Sequence, residues 1–178
     1  MNGRVPAAPV TLRARPRQRV RLRIVNAAAD TAFRVALGGH RLTVTHTDGF
    51  PVRPVTADAL LVGMGERYDV EVALGDGAFP LTAVAEGKVG QGMAVVRTGM
   101  GRPPAAGSRP AELDRRLLRP GDLRATPPAT LPDRDPDRSH DLVLGGGMMP
   151  YRWTINGTTY DRSQPLPVRA GEAVRLRS

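Results

Sequence analysis

Three histidines are the residues of this chain best suited to bind a metal ion, and the chain has no cysteine to join them. His40 and His46 stand six residues apart, and His140 lies far along the chain. Two histidines without a thiolate or a carboxylate make a poor metal site. We therefore expect His40 to hydrogen-bond within a turn, His46 to face its sheet neighbours and His140 to be solvated. A weak metal site formed by His40 and His46 across a hairpin is the alternative.

Methionine, tyrosine and acidic side chains are the other candidates for chemistry. Met93, Met148 and Met149 could bind Cu(I), but methionine also fills gaps in cores, and we favour that interpretation. Tyr68 is expected to make a corner hydrogen bond of the kind found in Greek-key proteins, and Asp48 an Asx-type turn. Phosphate-binding glycine loops, serine nucleophile elbows and Cys/His couples are absent from the sequence. The sequence therefore predicts no catalytic, cofactor-binding or metal-binding residue in this chain.

The net charge is +9, with 26 lysines and arginines against 17 acidic residues, and Lys88 is the single lysine. Binding of nucleic acid or another polyanion is one interpretation of this charge. The arginines are scattered along the chain, and few aromatic residues lie among them to stack on bases. We therefore expect a solvated surface and no nucleic-acid partner. No run of about 20 apolar residues or signal-peptide core is present, which leaves the compartment unknown and predicts no membrane segment.

Alternating apolar and polar residues dominate the first half of the chain. The pattern runs through Arg19–Asn26 and returns in Phe33–Leu37 and Leu42–Thr47. Successive side chains of a strand point to opposite faces, so each run predicts a strand with one apolar face. The Gly38-Gly39 pair predicts a hairpin between the second and third of these strands. Several short strands spaced in this way predict an all-β antiparallel sandwich or barrel.

The same period predicts which side chains share a face and where the loops lie. His46 is expected on the apolar face of its strand, together with Leu42 and Val44. Residues 48–54 contain two prolines and are predicted to form a loop, because proline cannot donate to a strand ladder. A further strand is predicted over residues 55–62.

Composition changes after Met100, where proline becomes frequent. Eight prolines lie between residues 101 and 140. Proline fixes φ and lacks the backbone donor, so this stretch is not expected inside a sheet. We predict a domain over 1–100 and an extended, mostly exposed Pro/Arg-rich linker over 101–144. Within the linker, residues 111–118 are the only candidate for two helical turns.

An internal repeat appears when the sequence is shifted by 154 residues without a gap. Asn2-Gly3 then falls on Asn156-Gly157, and Val20–Arg23 falls on Val174–Arg177. A repeat of this length indicates tandem related domains rather than a solenoid. The second copy, over 145–178, is predicted to be the truncated start of a further domain.

Such a short second copy is expected to bury little apolar surface. Pieces below about 40 residues rarely fold alone. Its predicted strands, residues 166–169 and Val174–Arg177, would lack later strands to pair with and would favour self-association. Removing everything after Thr98 is therefore expected to leave the melting temperature of the first domain nearly unchanged.

Two segments of the sequence carry a family resemblance. Residues 21–52 followed by LLVGMGERYDV at 60–70 resemble the second cupredoxin domain of a three-domain, laccase-like bacterial multicopper oxidase. Residues 153–177, which read WTINGTTYDRSQPLPVRAGEAVRLR, resemble the opening of the third domain. The resemblance implies a cupredoxin-like Greek-key β-sandwich, and its match covers about residues 1–97.

The resemblance also implies a function for the longer protein. Members of the family oxidise substrates one electron at a time at a blue copper and reduce oxygen to water at a copper cluster. Their ligands are a cysteine and paired His-X-His motifs, which this chain lacks. The resemblance thus implies a non-copper middle domain, inactive alone, that spaces the copper-bearing domains and helps to wall the substrate side. Its partners would be the remaining cupredoxin domains or, through the tail, copies of itself; the parent family is usually exported.

Two other interpretations remain open from the sequence. The chain could be a non-enzymatic β-sandwich module that binds a protein or a polyanion through an Arg-rich surface. It could also be one subunit of a split oxidase whose missing parts are separate chains.

Overall fold

Fourteen β-strands and four short 3-10 turns make up the structure, a computed structural model that describes residues 1–178. Two compact units are present, Met1–Thr130 (unit 1) and Leu131–Ser178 (unit 2). Unit 1 contains β1 Val10–Arg13, β2 Arg19–Val25, β3 Phe33–Leu37, β4 Leu42–Thr47, β5 Phe50–Ala57, β6 Ala59–Val62, β7 Arg67–Ala73, β8 Ala78–Ala85, β9 Gln91–Arg97 and β10 Leu117–Leu118. Unit 2 contains β11 Arg138–Asp141, β12 Leu144–Met148, β13 Tyr151–Ile155 and β14 Val174–Arg177. The 3-10 turns are Ala111–Asp114, Pro120–Asp122, Pro127–Ala129 and Tyr160–Arg162, and none has the length or apolar character of a membrane-spanning helix.

Unit 1 is a sandwich of two β-sheets, which confirms the predicted all-β class. The six-stranded sheet has the order β1-β9-β8-β3-β6-β10, and the four-stranded sheet has the order β2-β7-β4-β5. Most neighbouring strands are antiparallel, but β1 runs parallel to β9 and β10 parallel to β6. Several strands that follow each other in sequence lie in different sheets, as Greek-key connections require.

The core of unit 1 is built from alternate residues of its strands. Along β7, buried residues alternate with less buried ones, and Tyr68, Val70 and Val72 point inward. They belong to one apolar cluster with Val35 and Leu37 of β3 in the opposite sheet. Burial of apolar surface stabilises the folded state by about 25 cal/mol per Å². Because side chains alternate between the two faces of a strand, this free energy fixes which face of each strand points inward.

The connection between β3 and β4 differs from the predicted hairpin. β3 pairs with β6 and β8, whereas β4 pairs with β5 and β7, so the chain crosses from one sheet to the other. A Cβ on Gly38 would lie 3.0 Å from the Pro80 ring, and Gly39 has a φ of +73°. The two glycines therefore permit a tight crossing beside β8. The hairpin prediction was wrong because a Gly-Gly pair suits either kind of connection.

Strand β5 contains two prolines where a loop was predicted. Pro51 and Pro54 both lie within β5, which is the last strand of the four-stranded sheet. The outer side of β5 makes only an isolated bridge, between Val52 and Ala125, so residues without an N–H are tolerated in this strand. The chain then changes sheets at Asp58, between β5 and β6. The predicted loop over 48–54 and the predicted single strand over 55–62 are both corrected.

The segment after Met100 packs in part into unit 1, which corrects the prediction that 101–144 is a linker. Leu113 is 0% exposed and Leu118 is 2% exposed. Strand β10 pairs with β6 as the outermost strand of the six-stranded sheet. One 3-10 turn precedes it, in place of the two helical turns predicted over 111–118. Prolines interrupt regular structure in this segment without keeping its leucines out of the core.

Unit 2 consists of two small sheets. β11 pairs in parallel with β14, and β12 and β13 form an antiparallel hairpin. The predicted strand Val174–Arg177 is present and pairs with an earlier strand, whereas residues 166–169 form no strand. No residue of unit 2 is buried, and Leu176 remains 58% exposed. Backbone ladders and ion pairs, and not an apolar core, therefore hold unit 2 together.

The two copies of the repeat have the same backbone conformation at their turns. The Asn2-Gly3 turn has φ values of 48° and 71°, and the Asn156-Gly157 turn has 52° and 77°. Arg17 and Gly171, which also match at the offset of 154, have φ values of 63° and 89°. These positive φ values are uncommon outside glycine and asparagine, so their recurrence is specific.

Hydrogen bonds recur at the same offset. The Arg15 amide donates to Gln18 Oε1 at 2.9 Å, and the Arg169 amide donates to Glu172 Oε2 at 2.9 Å. Each bond closes the turn that leads into β2 or β14. The repeat seen in the sequence is therefore also a repeat of local structure.

Candidate functional site: the histidines and the open side of unit 1

His40 lies in the crossing between β3 and β4, and both of its ring nitrogens are occupied. Its Nε2 accepts a hydrogen bond from the Gly75 amide at 2.9 Å, and its Nδ1 lies 2.7 Å from the Gly38 carbonyl oxygen. Because an amide can only donate, Nε2 must be the acceptor and Nδ1 must carry the proton. The ring also packs edge-on against Phe79 at 4.4 Å. His40 is thus a structural histidine that hydrogen-bonds within its turn, as the sequence predicted.

His46 lies on the outer face of the four-stranded sheet, which corrects the prediction that it shares a face with Leu42 and Val44. The register of β4 shifts between Val44 and His46, where a β-bulge adds one residue. A bulge changes which face the following side chains occupy. The His46 Nδ1 atom lies 2.9 Å from Arg21 Nη2, which also contacts Asp69 Oδ2 at 2.7 Å. A site shared by His40 and His46 does not form.

His140 and the methionines do not assemble a metal site either. His140 lies on β11 in unit 2, and its Nε2 atom is buried without a hydrogen-bond partner. Met93 is fully buried in the core of unit 1, whereas Met148 and Met149 are 72% and 96% exposed. Nowhere does the structure gather three or more histidine and acidic side chains in a metal-binding group.

The acidic residues and tyrosine near β7 close turns or fill the core. The Glu66 carboxylate accepts the Gly63 amide at 2.6 Å, and Asp48 accepts the Arg67 amide at 3.0 Å. Asp48 lies in the β4–β5 turn with a φ of 50°, but its carboxylate accepts from the distant Arg67 amide and does not make the local bond of the predicted Asx-type turn. Burial, with a contribution from the charge of Glu66, raises the pKa of Tyr68 to about 12. Tyr68 thus stays protonated across the physiological range and acts as a core residue.

The arginines of β2 face acidic residues of the neighbouring strand β7. Arg19 pairs with Glu71 at 3.1 Å, and Arg21 pairs with Asp69 at 2.7 Å. These cross-strand pairs neutralise much of the positive charge on this face. The outer face of β2 is therefore a mixed-charge surface, which does not favour a polyanion-binding function at this place.

A cavity of about 950 Å³ opens along one side of the sandwich in unit 1. β1 is the edge strand of one sheet and β2 the edge strand of the other, and the cavity lies between them. Its lining is mainly apolar and includes Leu12, Val20, Leu22 and Val96. The alternation along β2 predicts that Val20 and Leu22 face inward. Only the strand order shows that the edges of β1 and β2 have no further strand beside them. Sequence reasoning therefore missed this open side.

Asn26 anchors one end of the open side. Its side-chain amide donates to the carbonyl oxygens of Thr31 at 2.8 Å and Val62 at 3.1 Å, and its oxygen accepts the Ala28 amide at 3.0 Å. Asn26 is 5% exposed and lines the cavity. Because the buried Asn26 amide group makes all three of these bonds, it holds the loop between β2 and β3 in place at the rim of the cavity.

Comparison with known proteins gives a consistent family assignment. The sequence profile described as multicopper oxidase matches residues 1–100. The multicopper oxidase MmcO of Mycobacterium tuberculosis is 50% identical over 176 residues, which are 99% of this chain and 35% of that protein. The chain therefore spans about a third of the length of this relative.

Solved structures support the fold. Fet3p, a multicopper oxidase that functions in iron import, matches 76% of this chain and 28% of its own with a TM-score of 0.61 and 19% identity. The laccase from Botrytis aclada matches 84% of this chain and 29% of its own with a TM-score of 0.53 and 23% identity. At these identities the two structures show a shared fold.

Proposed function

Since this chain belongs to the multicopper oxidase family, we propose that it is a fragment of a laccase-like oxidase. Such an enzyme takes electrons from its substrate one at a time and passes them to oxygen, which is reduced to water. Unit 1 is the non-copper middle domain of that enzyme, and unit 2 is the beginning of the domain that follows. The activity belongs to the longer protein.

The recurrence of local structure at an offset of 154 residues carries this proposal. Two copies of one turn-and-strand motif in one chain are what tandem cupredoxin domains would produce. In unit 1 the motif leads into a complete ladder with β7, whereas in unit 2 it is the last element. The order of the two copies supports a middle domain followed by the start of another.

The residues present do not fit a copper centre of this family. A blue copper site needs a cysteine thiolate with two histidines, and the chain contains no cysteine. His40 uses both ring nitrogens in hydrogen bonds, and His46 bonds to Arg21. No step of copper chemistry therefore falls to this chain.

The role of unit 1 would be to position its neighbours. Its two packed sheets form a rigid body that can space the copper-bearing domains and contribute to the wall on the substrate side. Its partners are thus the other cupredoxin domains of the oxidase. This role requires a stable core and a defined surface, and it requires no catalytic residue.

Metal analysis and an oxidase assay test the proposal. The chain, purified from copper-supplemented medium, should hold far less than one copper per molecule and should not oxidise a phenolic dye. A full-length multicopper oxidase is the positive control, and the His46→Ala variant should behave as the unmodified chain does. One tightly held copper per chain, or a blue absorption band, would contradict the proposal.

A further inference from the structure

The two Asn-Gly turns, Asn2-Gly3 and Asn156-Gly157, have matching backbones. In each turn the amide of the residue after the glycine donates to the carbonyl oxygen of the residue before the asparagine, at 3.0 Å. The amide of the glycine itself makes no hydrogen bond in either turn. A Cβ added at either glycine would meet nothing within 4 Å. Any difference in reactivity between the two turns must therefore come from the asparagine side chains and what surrounds them.

Only the asparagine side chain of the second turn is held in place. The Asn156 Oδ1 atom accepts the Val143 amide at 2.8 Å, and its Nδ2 donates to the Asp141 carbonyl oxygen at 2.9 Å. The Asn156 backbone amide also donates to the Val143 carbonyl oxygen, at 2.8 Å. The Asn2 side chain is exposed and makes no hydrogen bond to any residue of the chain. It is therefore free to rotate.

An asparagine that is followed by glycine can react with its own backbone. The glycine amide nitrogen attacks the asparagine Cγ, the bond from Cγ to Nδ2 breaks, and the amide proton leaves with Nδ2 as ammonia. Water then opens the cyclic succinimide to an aspartyl or an isoaspartyl residue, and nothing is oxidised or reduced. Glycine favours the ring closure because no Cβ obstructs the attacking nitrogen. Hydrogen bonds to Oδ1 and from Nδ2 oppose the reaction, because they keep Cγ from turning toward that nitrogen.

We propose that Asn2 is a site of spontaneous deamidation in this chain, and that Asn156 is protected by its two side-chain hydrogen bonds. The product at Asn2 carries a carboxylate in place of the amide, which lowers the net charge of +9 by one. That carboxylate lies on the lining of the cavity beside β2, to which Asn2 contributes. The same product at Asn156 would set a carboxylate oxygen against the Asp141 carbonyl oxygen, so that two acceptors would face each other.

Timed incubation of the full chain tests this inference. The folded chain is kept in mildly alkaline buffer, digested with trypsin in mildly acidic buffer and analysed by mass spectrometry, with a sample taken at time zero as the baseline. Cleavage after arginine separates the two turns into residues 1–4 and residues 153–162. Asn2 should deamidate at least about tenfold faster than Asn156, as expected when two hydrogen bonds of ordinary strength must break first. Asn26, which is buried and followed by alanine, should stay unmodified.

Unfolding and two proline variants provide the controls. In guanidinium chloride the rates at Asn2 and Asn156 should converge, because both residues precede glycine and neither is then held. Val143→Pro removes the amide that Asn156 Oδ1 accepts, and it should raise the rate at Asn156 severalfold without changing the rate at Asn2. Val168→Pro is the matched control, because Val168 is an exposed valine of unit 2 whose amide makes no hydrogen bond. It should leave both rates unchanged.

Three results would overturn the inference. One is an equal rate of deamidation at Asn2 and Asn156 in the folded chain. Another is a ratio of rates that persists in guanidinium chloride, because neighbouring residues and not the fold would then set it. The third is a Val143→Pro chain that is folded by circular dichroism and in which Asn156 reacts no faster than before.

Discussion

Residues 1–23 and residues 155–177 are two copies of one motif in different surroundings. Both contain an Asn-Gly turn with positive φ, a second turn closed by an amide-to-side-chain bond of 2.9 Å, and a strand reading Val-Arg-Leu-Arg. The first copy packs into a sandwich whose core includes Val70 and Val96. The second copy buries none of its residues.

The difference separates what the local sequence dictates from what the rest of the domain adds. Turn conformation is the same in both copies, because side chains and glycines act on their own backbone. Strand partners differ: β2 pairs antiparallel with β7, and β14 pairs parallel with β11. Burial also differs, because only unit 1 has a second sheet to pack against. Four changes to the chain can break or sharpen this comparison.

Truncation should have the largest effect. Ending the chain after Thr98 removes Leu113 and Leu118 from the core, and each buried leucine is worth about 2–5 kcal/mol. The total approaches the stability of a typical domain. We expect this truncated chain to unfold or to lose more than about 10 °C in melting temperature, measured by circular dichroism. This replaces the expectation, drawn from the sequence, of an unchanged melting temperature.

Ending the chain after Thr130 is the matched control. It removes unit 2 and keeps every residue of unit 1. The melting temperature of unit 1 should then stay within about 2 °C of the full chain, a shift of a few tenths of a kcal/mol. Equal losses from the two truncations would contradict the division into units.

Matched leucines should show the next largest difference. Leu22 of β2 packs against the core of unit 1, and its counterpart Leu176 is 58% exposed. Leu22→Ala should cost about 1–3 kcal/mol of unfolding free energy, and Leu176→Ala less than about 0.5 kcal/mol. Urea denaturation of both variants measures this. A similar cost at the two positions would mean that unit 2 has a core of its own.

The sequence predicted the features that the two copies share. The period of two in β2, β3 and β7 follows from burial of one face, and the Asn-Gly turns follow from their tolerance of positive φ. His40 is tied into its turn as expected. These are properties of short stretches of chain.

The sequence did not predict features that depend on distant partners. The bulge that moves His46 outward arises in the pairing of β4 with β5 and β7. The prolines of β5 became compatible with a strand only because β5 is at an edge. Leu113 and Leu118 are buried because β10 reaches β6 across many residues of chain. The open side beside β2 likewise depends on strand order, which no local pattern encodes.

The residue at the second turn offers a smaller test. Arg17 has a φ of 63°, whereas its counterpart in unit 2 is Gly171 with a φ of 89°. A residue with a Cβ is strained in this region, and glycine is not. Arg17→Gly should therefore stabilise unit 1 by about 1 kcal/mol or less, and Gly171→Ala should loosen the turn before β14. Urea denaturation measures the first change, and amide exchange of Arg169 measures the second.

The smallest effect concerns pH, at the position where Gln18 in one copy is matched by Glu172 in the other. The side-chain hydrogen bond with Arg138, followed by the bond from the Arg169 amide, lowers the pKa of Glu172 below its ordinary value of 4.5. A carboxyl group whose pKa is lowered by folding stabilises the folded form above its unfolded pKa, and this contribution is lost as the pH falls through the folded pKa. As the pH falls through the lowered pKa of Glu172, the Arg169 amide should exchange with solvent faster relative to its intrinsic rate. The Arg15 amide, which is bonded to the uncharged side chain of Gln18, should not change. Glu172→Gln should make the two turns respond alike, and a pH-dependent Arg15 amide would show that the copies differ by more than this one side chain.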